Sequence, residues 1–374
     1  MKIRVLIVDD AVIVRNRVSK ILSTVPEIEI AAVAASGKIA LLKIPQVNPD
    51  VIILDVEMPE MNGLETLVAI REQYPKLPVI MFSALTVLGA ATTLDALLLG
   101  ANDYATKPSN LNSIEAANQH IREELVPKIK ALANVETRYI ASSASGATNT
   151  PSSSNNNFSA IDRGAIEQNR IERDVIYHVS TSNTIDIVAI GASTGGPNAI
   201  AEILTNFPAN FPAAILIVQH MPAMFTKLMA ERLNSKCLLP VAEAVSGTTV
   251  KPGQVWIAPG DFHLLVERDN NTIKIITNQA PPENSCRPAV DVLFRSVAKV
   301  YGKKSLGVVL TGMGKDGLQG AEHIRTSGGH IFAQDQDSSV VWGMPGFVAN
   351  ANLAESILPI NQMAGAILRL VAHN

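Results

Sequence analysis

The chain has very little cysteine, no marked excess of either charge and no long apolar run. Only Cys237 and Cys286 occur in 374 residues. Two thiols far apart in sequence cannot make a disulfide framework or a four-ligand zinc site, so a reducing compartment is expected. The formal net charge of -3 gives no electrostatic reason to bind nucleic acid or an anionic membrane. No apolar stretch approaches the roughly 20 residues needed to span a bilayer. The basic start, Met1 to Arg4, leads into an apolar run that Asp9 and Asp10 stop, which argues against a secretory signal. The expectation is a cytoplasmic protein with no direct membrane insertion. Solenoid-type repeats are also missing.

What is present is strand-helix alternation, in two blocks. A length of 374 residues predicts two or three domains. Apolar runs at Ile3 to Val8, Val51 to Leu54 and Val79 to Phe82 read as buried strands, with gaps long enough for helices. Serine and asparagine then dominate, as at Ser152 to Asn157, in a stretch that cannot bury a core and reads as a linker. Within it, residues 161–175 read as a weak charged helix able to dock on a neighbour. Strand-like runs resume at Ile185 to Ile190, Ala213 to Val218, Val255 to Ala258, Leu306 to Leu310 and His330 to Ala333. The fold class predicted for both blocks is α/β, with parallel sheets covered on both faces. The predicted boundaries are 1–125, a linker over 126–184, and 185–374.

In open α/β sheets the working site lies beyond the carboxyl ends of the strands. In the first block Asp9, Asp10 and Asp55 fall at such ends, and Lys107 follows a short segment ending near Tyr104. Three converging carboxylates need a cation, and Mg²⁺ suits a pocket of few carboxylates and several waters. Asp55 could then attack a phosphoryl donor, with Lys107 and the Ser83 hydroxyl pairing with the added group.

In the second block a strand runs into Gly191-Ala192-Ser193-Thr194-Gly195, which fits G-x-S-x-G, a turn that exposes a serine oxygen. Glycine-rich turns also cradle nucleotide phosphates. A dinucleotide site expects an acid at the end of the second strand, but Gln219-His220 stands there. His220 and, past Leu310, Asp316 lie at further strand ends, so a Ser-His-Asp triad could assemble. His263 rivals His220, Asp316 could merely cap the following helix, and Cys286 reads as an inert thiol.

These residues carry a family resemblance. Val8-Asp9-Asp10, Leu54 to Pro59, Asn62-Gly63-Leu64 and Lys107-Pro108 resemble the receiver domain of response regulators. Gly191 to Gly196, Gln219-His220-Met221, Ile257 to Asp261, Cys286-Arg287-Pro288, Thr311 to Gly317 and Trp342 to Gly346 resemble the catalytic domain of the chemotaxis protein-glutamate methylesterases, the CheB type. The resemblance implies a flavodoxin-like receiver ahead of a doubly wound hydrolase domain. It implies Asp55 as phosphoacceptor, with Asp9, Asp10 and the Glu57 carbonyl around Mg²⁺, and Ser83 and Tyr104 as positions that shift on phosphorylation. It implies Ser193, His220 and Asp316 as the triad, with backbone N–H groups at Met313 and Thr194 holding the oxyanion. The implied activity is hydrolysis of glutamate methyl esters on a chemoreceptor, with deamidation of glutamine as related chemistry. The implied partners are a methylated chemoreceptor and a histidine kinase as phosphodonor. Ala11 stands where a serine is frequent and Asn62 where an aspartate is frequent. A regulator whose output is binding, or a catalytically dead scaffold, is the alternative class.

Overall fold

The computed structural model of the chain describes residues 2–84, 86–108, 113–144 and 184–372. The first unit alternates β1 (Ile3–Val8), α1 (Val12–Leu22), β2 (Ile28–Ala34), α2 (Gly37–Val47), β3 (Val51–Asp55), α3 (Gly63–Gln73), β4 (Val79–Ser83), α4 (Val87–Leu98), β5 (Asp103–Thr106) and α5 (Ile114–Ala144). Its sheet is parallel throughout, in the order β2-β1-β3-β4-β5. β3 and β4 are buried along their whole length, because helices cover both faces.

Two elements go beyond the sequence expectations. The boundary expected at residue 125 falls inside α5, which continues to Ala144. Leu125, Ile129 and Leu132 are buried at helical spacing in the same cluster as Val5, Ile53 and Phe82. Pro127 lies inside this helix, where it disguises the continuation in the sequence. The second is β2, an edge strand that the apolar runs named above do not include. The docking helix expected over residues 161–175 falls outside the described residues.

The second unit contains β6 (Ile187–Ala192), α6 (Gly196–Leu204), β7 (Ala214–Gln219), α7 (Ala223–Lys236), β8 (Val241–Glu243), β9 (Val255–Ile257), β10 (His263–Asp269), β11 (Thr272–Asn278), α8 (Val290–Tyr301), β12 (Ser305–Val309), α9 (Leu318–Thr326), β13 (His330–Gln334), α10 (Met344–Asn350), β14 (Ser356–Leu358) and α11 (Ile360–Ala372). Seven strands form a parallel sheet ordered β14-β13-β12-β6-β7-β9-β8. The order reverses at β6, and the carboxyl ends of β6, β7 and β12 meet there. An antiparallel hairpin, β10 with β11, lies apart from this sheet. Its apolar stretches are short, Leu264 to Val266 and Ile275-Ile276, and most of both strands is exposed or half-exposed, so a search for long buried runs passes over it.

The two units share one apolar cluster. Leu94, Leu97 and Tyr104 of the first belong to the same buried group as Met221, Phe225 and Met229 of the second. The Tyr104 and Phe225 rings stack with centroids 4.5 Å apart. Asn198 of α6 donates to the Leu97 carbonyl at 2.7 Å, and Arg232 of α7 pairs with Asp95 of α4 at 2.8 Å.

Candidate active site and phosphorylation site

β6 ends at Ala192, which places Ser193 at the top of the second sheet. The turn is held from both sides. The Ser193 N–H donates to the Thr311 carbonyl at 3.0 Å, and its own carbonyl accepts from Gly196 N–H and from the Gln219 amide. Gly195 has φ +78, and a Cβ there would meet Val340 at 2.6 Å. Only glycine suits that turn.

His220 follows β7 directly. Its Nε2 lies 2.8 Å from Asp316 Oδ2. Asp316 is buried and richly supplied with donors. The N–H groups of Val290 and Asp291 bond it at 2.6 and 3.0 Å, and the Asn284 amide at 3.1 Å. Val290 and Asp291 open α8, so the carboxylate sits at a helix N-terminus, where the dipole favours negative charge. Asp316 therefore caps α8, not the helix that follows it in sequence. Burial opposes its charge, but His220 and these amides outweigh burial and hold its pKa below the usual value. For His220 burial favours the neutral ring, yet Asp316 and then Cys286 raise its pKa to about 9.

Asp316 occupies Nε2, so Nδ1 is the ring nitrogen on the cavity side. It faces Cys286, whose Sγ lies 3.6 Å away. The sequence reading treated Cys286 as inert, and nothing in its immediate neighbours signals this contact. Among the described residues Ser193 Oγ makes no hydrogen bond to the imidazole, but both side chains line one cavity. Catalytic hydrogen bonds are often long in structures without substrate. His263, the rival histidine, is buried. Its Nε2 meets the Pro281 carbonyl and its Nδ1 accepts from Ala289 N–H, so both nitrogens serve the fold.

The cavity around Ser193 and His220 measures about 680 Å³. Thr194 and Met313 line it, and among the described residues neither backbone N–H has a partner within the protein. Tyr104, Glu124 and Lys128 form its other wall, so the first unit stands over the serine. One contact reaches the turn itself. The Thr194 hydroxyl donates to Asp103 Oδ2 at 2.6 Å, a buried bond between the two units. Met313 packs against a cluster that joins core residues of the first unit with Val341 of the second.

At the end of β3 the structure brings together Asp9, Asp10 and Asp55, with ligand atoms within 4.8 Å of one another. Lys107 bridges Asp9 at 2.8 Å and Asp55 at 2.7 Å. Burial raises the Asp55 pKa to about 6. Lys107 opposes that shift and Asp9 adds to it. A site that holds acids in this way suits a cation. Glu57 lines the same cavity and its N–H donates to Asp55 Oδ1 at 3.3 Å. The Glu57 carbonyl accepts no hydrogen bond among the described residues, which leaves it available. Ser83 is buried nearby on β4, but its hydroxyl is turned to the Ala84 carbonyl at 3.2 Å. Tyr104 lies away from the acids, in the contact between the units.

Comparison with known proteins gives the family of each unit. The response regulator receiver domain matches residues 5–119, and the CheB methylesterase family matches residues 188–367. The protein-glutamate methylesterase/protein-glutamine glutaminase of Trichodesmium erythraeum is 53% identical over 99% of both chains. The chain belongs to this methylesterase family. Its relative of the same name from Nocardioides is 44% identical over 99% of this chain and 96% of that one. The catalytic domain of Thermotoga maritima CheB methylesterase is 45% identical, covers 50% of this chain and 98% of its own, and has a TM-score of 0.49. Membership brings a receiver with a metal-binding phosphorylation site. Among the described residues no helix is long and apolar enough to cross a membrane.

Proposed function

We propose that the chain removes methyl groups from glutamate methyl esters of chemoreceptors, under control of phosphorylation at Asp55. The observation that carries this is the Asp316–His220 pair, whose Nδ1 opens into the cavity that Ser193 enters from the β6 turn. Asp316 holds the proton on Nε2, so in the neutral ring, whose share grows as pH climbs toward about 9, Nδ1 is the base. Ser193 Oγ attacks the ester carbonyl and gives its proton to Nδ1. The Thr194 and Met313 N–H groups receive the oxyanion, and losing one such donor typically costs ~10²–10³ in rate. Nδ1 returns the proton to the leaving oxygen, and methanol departs. Water then attacks the acyl-serine by the same route, regenerating Ser193 and freeing the glutamate. A glutamine amide in the same place would release ammonia, which is the second activity in the relatives' name.

In the receiver, Asp9, Asp10, Asp55 and the Glu57 carbonyl would hold Mg²⁺, which supplies charge neutralisation around the phosphoacceptor. Lys107 is placed to pair with the added group, with Ser83 and Tyr104 as the residues that respond. The phosphodonor is a histidine kinase, and the place of action is the cytoplasm. The cover formed by the receiver over Ser193 supports repression in the unphosphorylated state. The working division is a receiver extended through α5, a linker, and the esterase from residue 185 onward.

The test is methanol release from methylated chemoreceptor by the full chain, with and without a small phosphodonor. Release should rise with the donor, lose that rise in Asp55→Asn, and vanish in Ser193→Ala with the fold retained. Release by folded Ser193→Ala would remove Ser193 from its role.

A further inference from the structure

We propose that His220 and Cys286 form a binding site for a thiophilic divalent cation, zinc being the type, and that occupation silences the esterase. The geometry carries it. A tetrahedral zinc with N and S ligands at their usual distances holds those atoms about 3.6 Å apart. His220 Nδ1 and Cys286 Sγ, now within hydrogen-bond distance, stand 3.6 Å apart. The outer shell is also in place. A metal-bound histidine characteristically donates its other ring N–H to a carboxylate, which fixes the tautomer and aims the metal-binding nitrogen. Asp316 does this at Nε2, and its own oxygens are fixed by Val290, Asp291 and Asn284.

Both ligands are reachable. His220 and Cys286 line the 680 Å³ cavity and neither is fully buried. That cavity has room for the waters that would complete the coordination. On binding, the Cys286 thiol releases its proton to solvent, and the thiolate and imidazole each donate one electron pair to the metal. No redox change is involved. Nδ1 can no longer accept the Ser193 proton, so ester hydrolysis stops. This last step rests on His220 being the base, as proposed above. The binding itself does not.

The two claims are separable by experiment. Cobalt(II) is titrated into the full chain with excess Mg²⁺ present to occupy the carboxylate site. A thiolate-to-cobalt charge-transfer band is expected, and carboxylate sites give none. The band should be lost in Cys286→Ser, lost or greatly weakened in His220→Gln, and retained in Cys237→Ser. No band in the parent chain, or a full band in folded Cys286→Ser or His220→Gln, overturns the site. Zinc should then stop methanol release by the parent chain, a chelator should restore it, and Cys286→Ser should escape. A cobalt band without zinc inhibition overturns the silencing. If no chain releases methanol, the esterase reading fails and the band alone decides the site.

Discussion

At the residue scale, His220 and Asp55 both carry raised pKa values, the histidine through its partners against burial and the aspartate through burial itself. The His220 pKa is raised to about 9, so its neutral form, the base, grows as pH climbs from neutrality. We expect kcat/KM for ester hydrolysis to rise through this range and level off above about 9, which a pH profile at low substrate would check. The stability contribution has the reverse trend. A histidine raised above 6.5 in the folded state stabilises fully below that value and loses the contribution as pH passes about 9. Asp55 is an acid with a raised pKa, about 6 against 3.8, so its ionisation costs folding energy that is complete above about 6. Saturating Mg²⁺ should therefore raise the melting temperature more at neutral pH than below about 6. An equal gain at both would remove Asp55 from the metal's surroundings.

Asn284 is the residue that sequence reading missed. Its amide donates to Asp316 at 3.1 Å and to Asp291 at 2.9 Å, separating two buried carboxylates. Burial, with Asp316 adding to it, raises the Asp291 pKa. Asn284 has φ 51, so Asn284→Gly removes the amide without straining the backbone. The cost should be about 1–3 kcal/mol in urea unfolding, the penalty of an unmet buried partner. As a positioning residue it should lower kcat more than it changes KM.

At the scale of elements, the two departures from the family pattern behave differently. Asn62 caps α3 in a reciprocal capping box with Glu65, so asparagine serves as well there as aspartate. Ala11 stands at the N-cap of α1 and offers no side-chain acceptor. Ala11→Ser should stabilise the chain by about 1 kcal/mol, read from chemical denaturation. No gain would mean that the Asp9 side chain, which already accepts the Ala11 N–H, excludes the new cap.

At the scale of the molecule, the contact between units is a mixture of strong and weak parts. The Asp103–Thr194 bond is buried and charge-assisted, and it holds the residue next to the nucleophile. Arg232–Asp95 is half-exposed, and such pairs contribute little. Asp103→Asn should raise methanol release by the unphosphorylated chain toward the phosphorylated level. Asp95→Ala should change that ratio far less. Equal effects would show that the interface acts through area alone, without the clasp on Thr194.

The sequence by itself determined the two α/β units and the acids, serine and histidine at their strand ends. Burial of parallel strands writes continuous apolar runs, and chemistry at strand ends leaves polar residues just beyond them. It did not reveal the β10–β11 hairpin, whose apolar stretches are short, or the reach of α5 across Pro127. Only the tertiary structure decided which histidine nitrogen is on the cavity side, because that depends on Asp316 approaching from another strand and on α8 anchoring it. It alone set Cys286 against His220, and Asp103 against Thr194. These are pairings between residues distant in sequence, fixed by packing and not by local pattern.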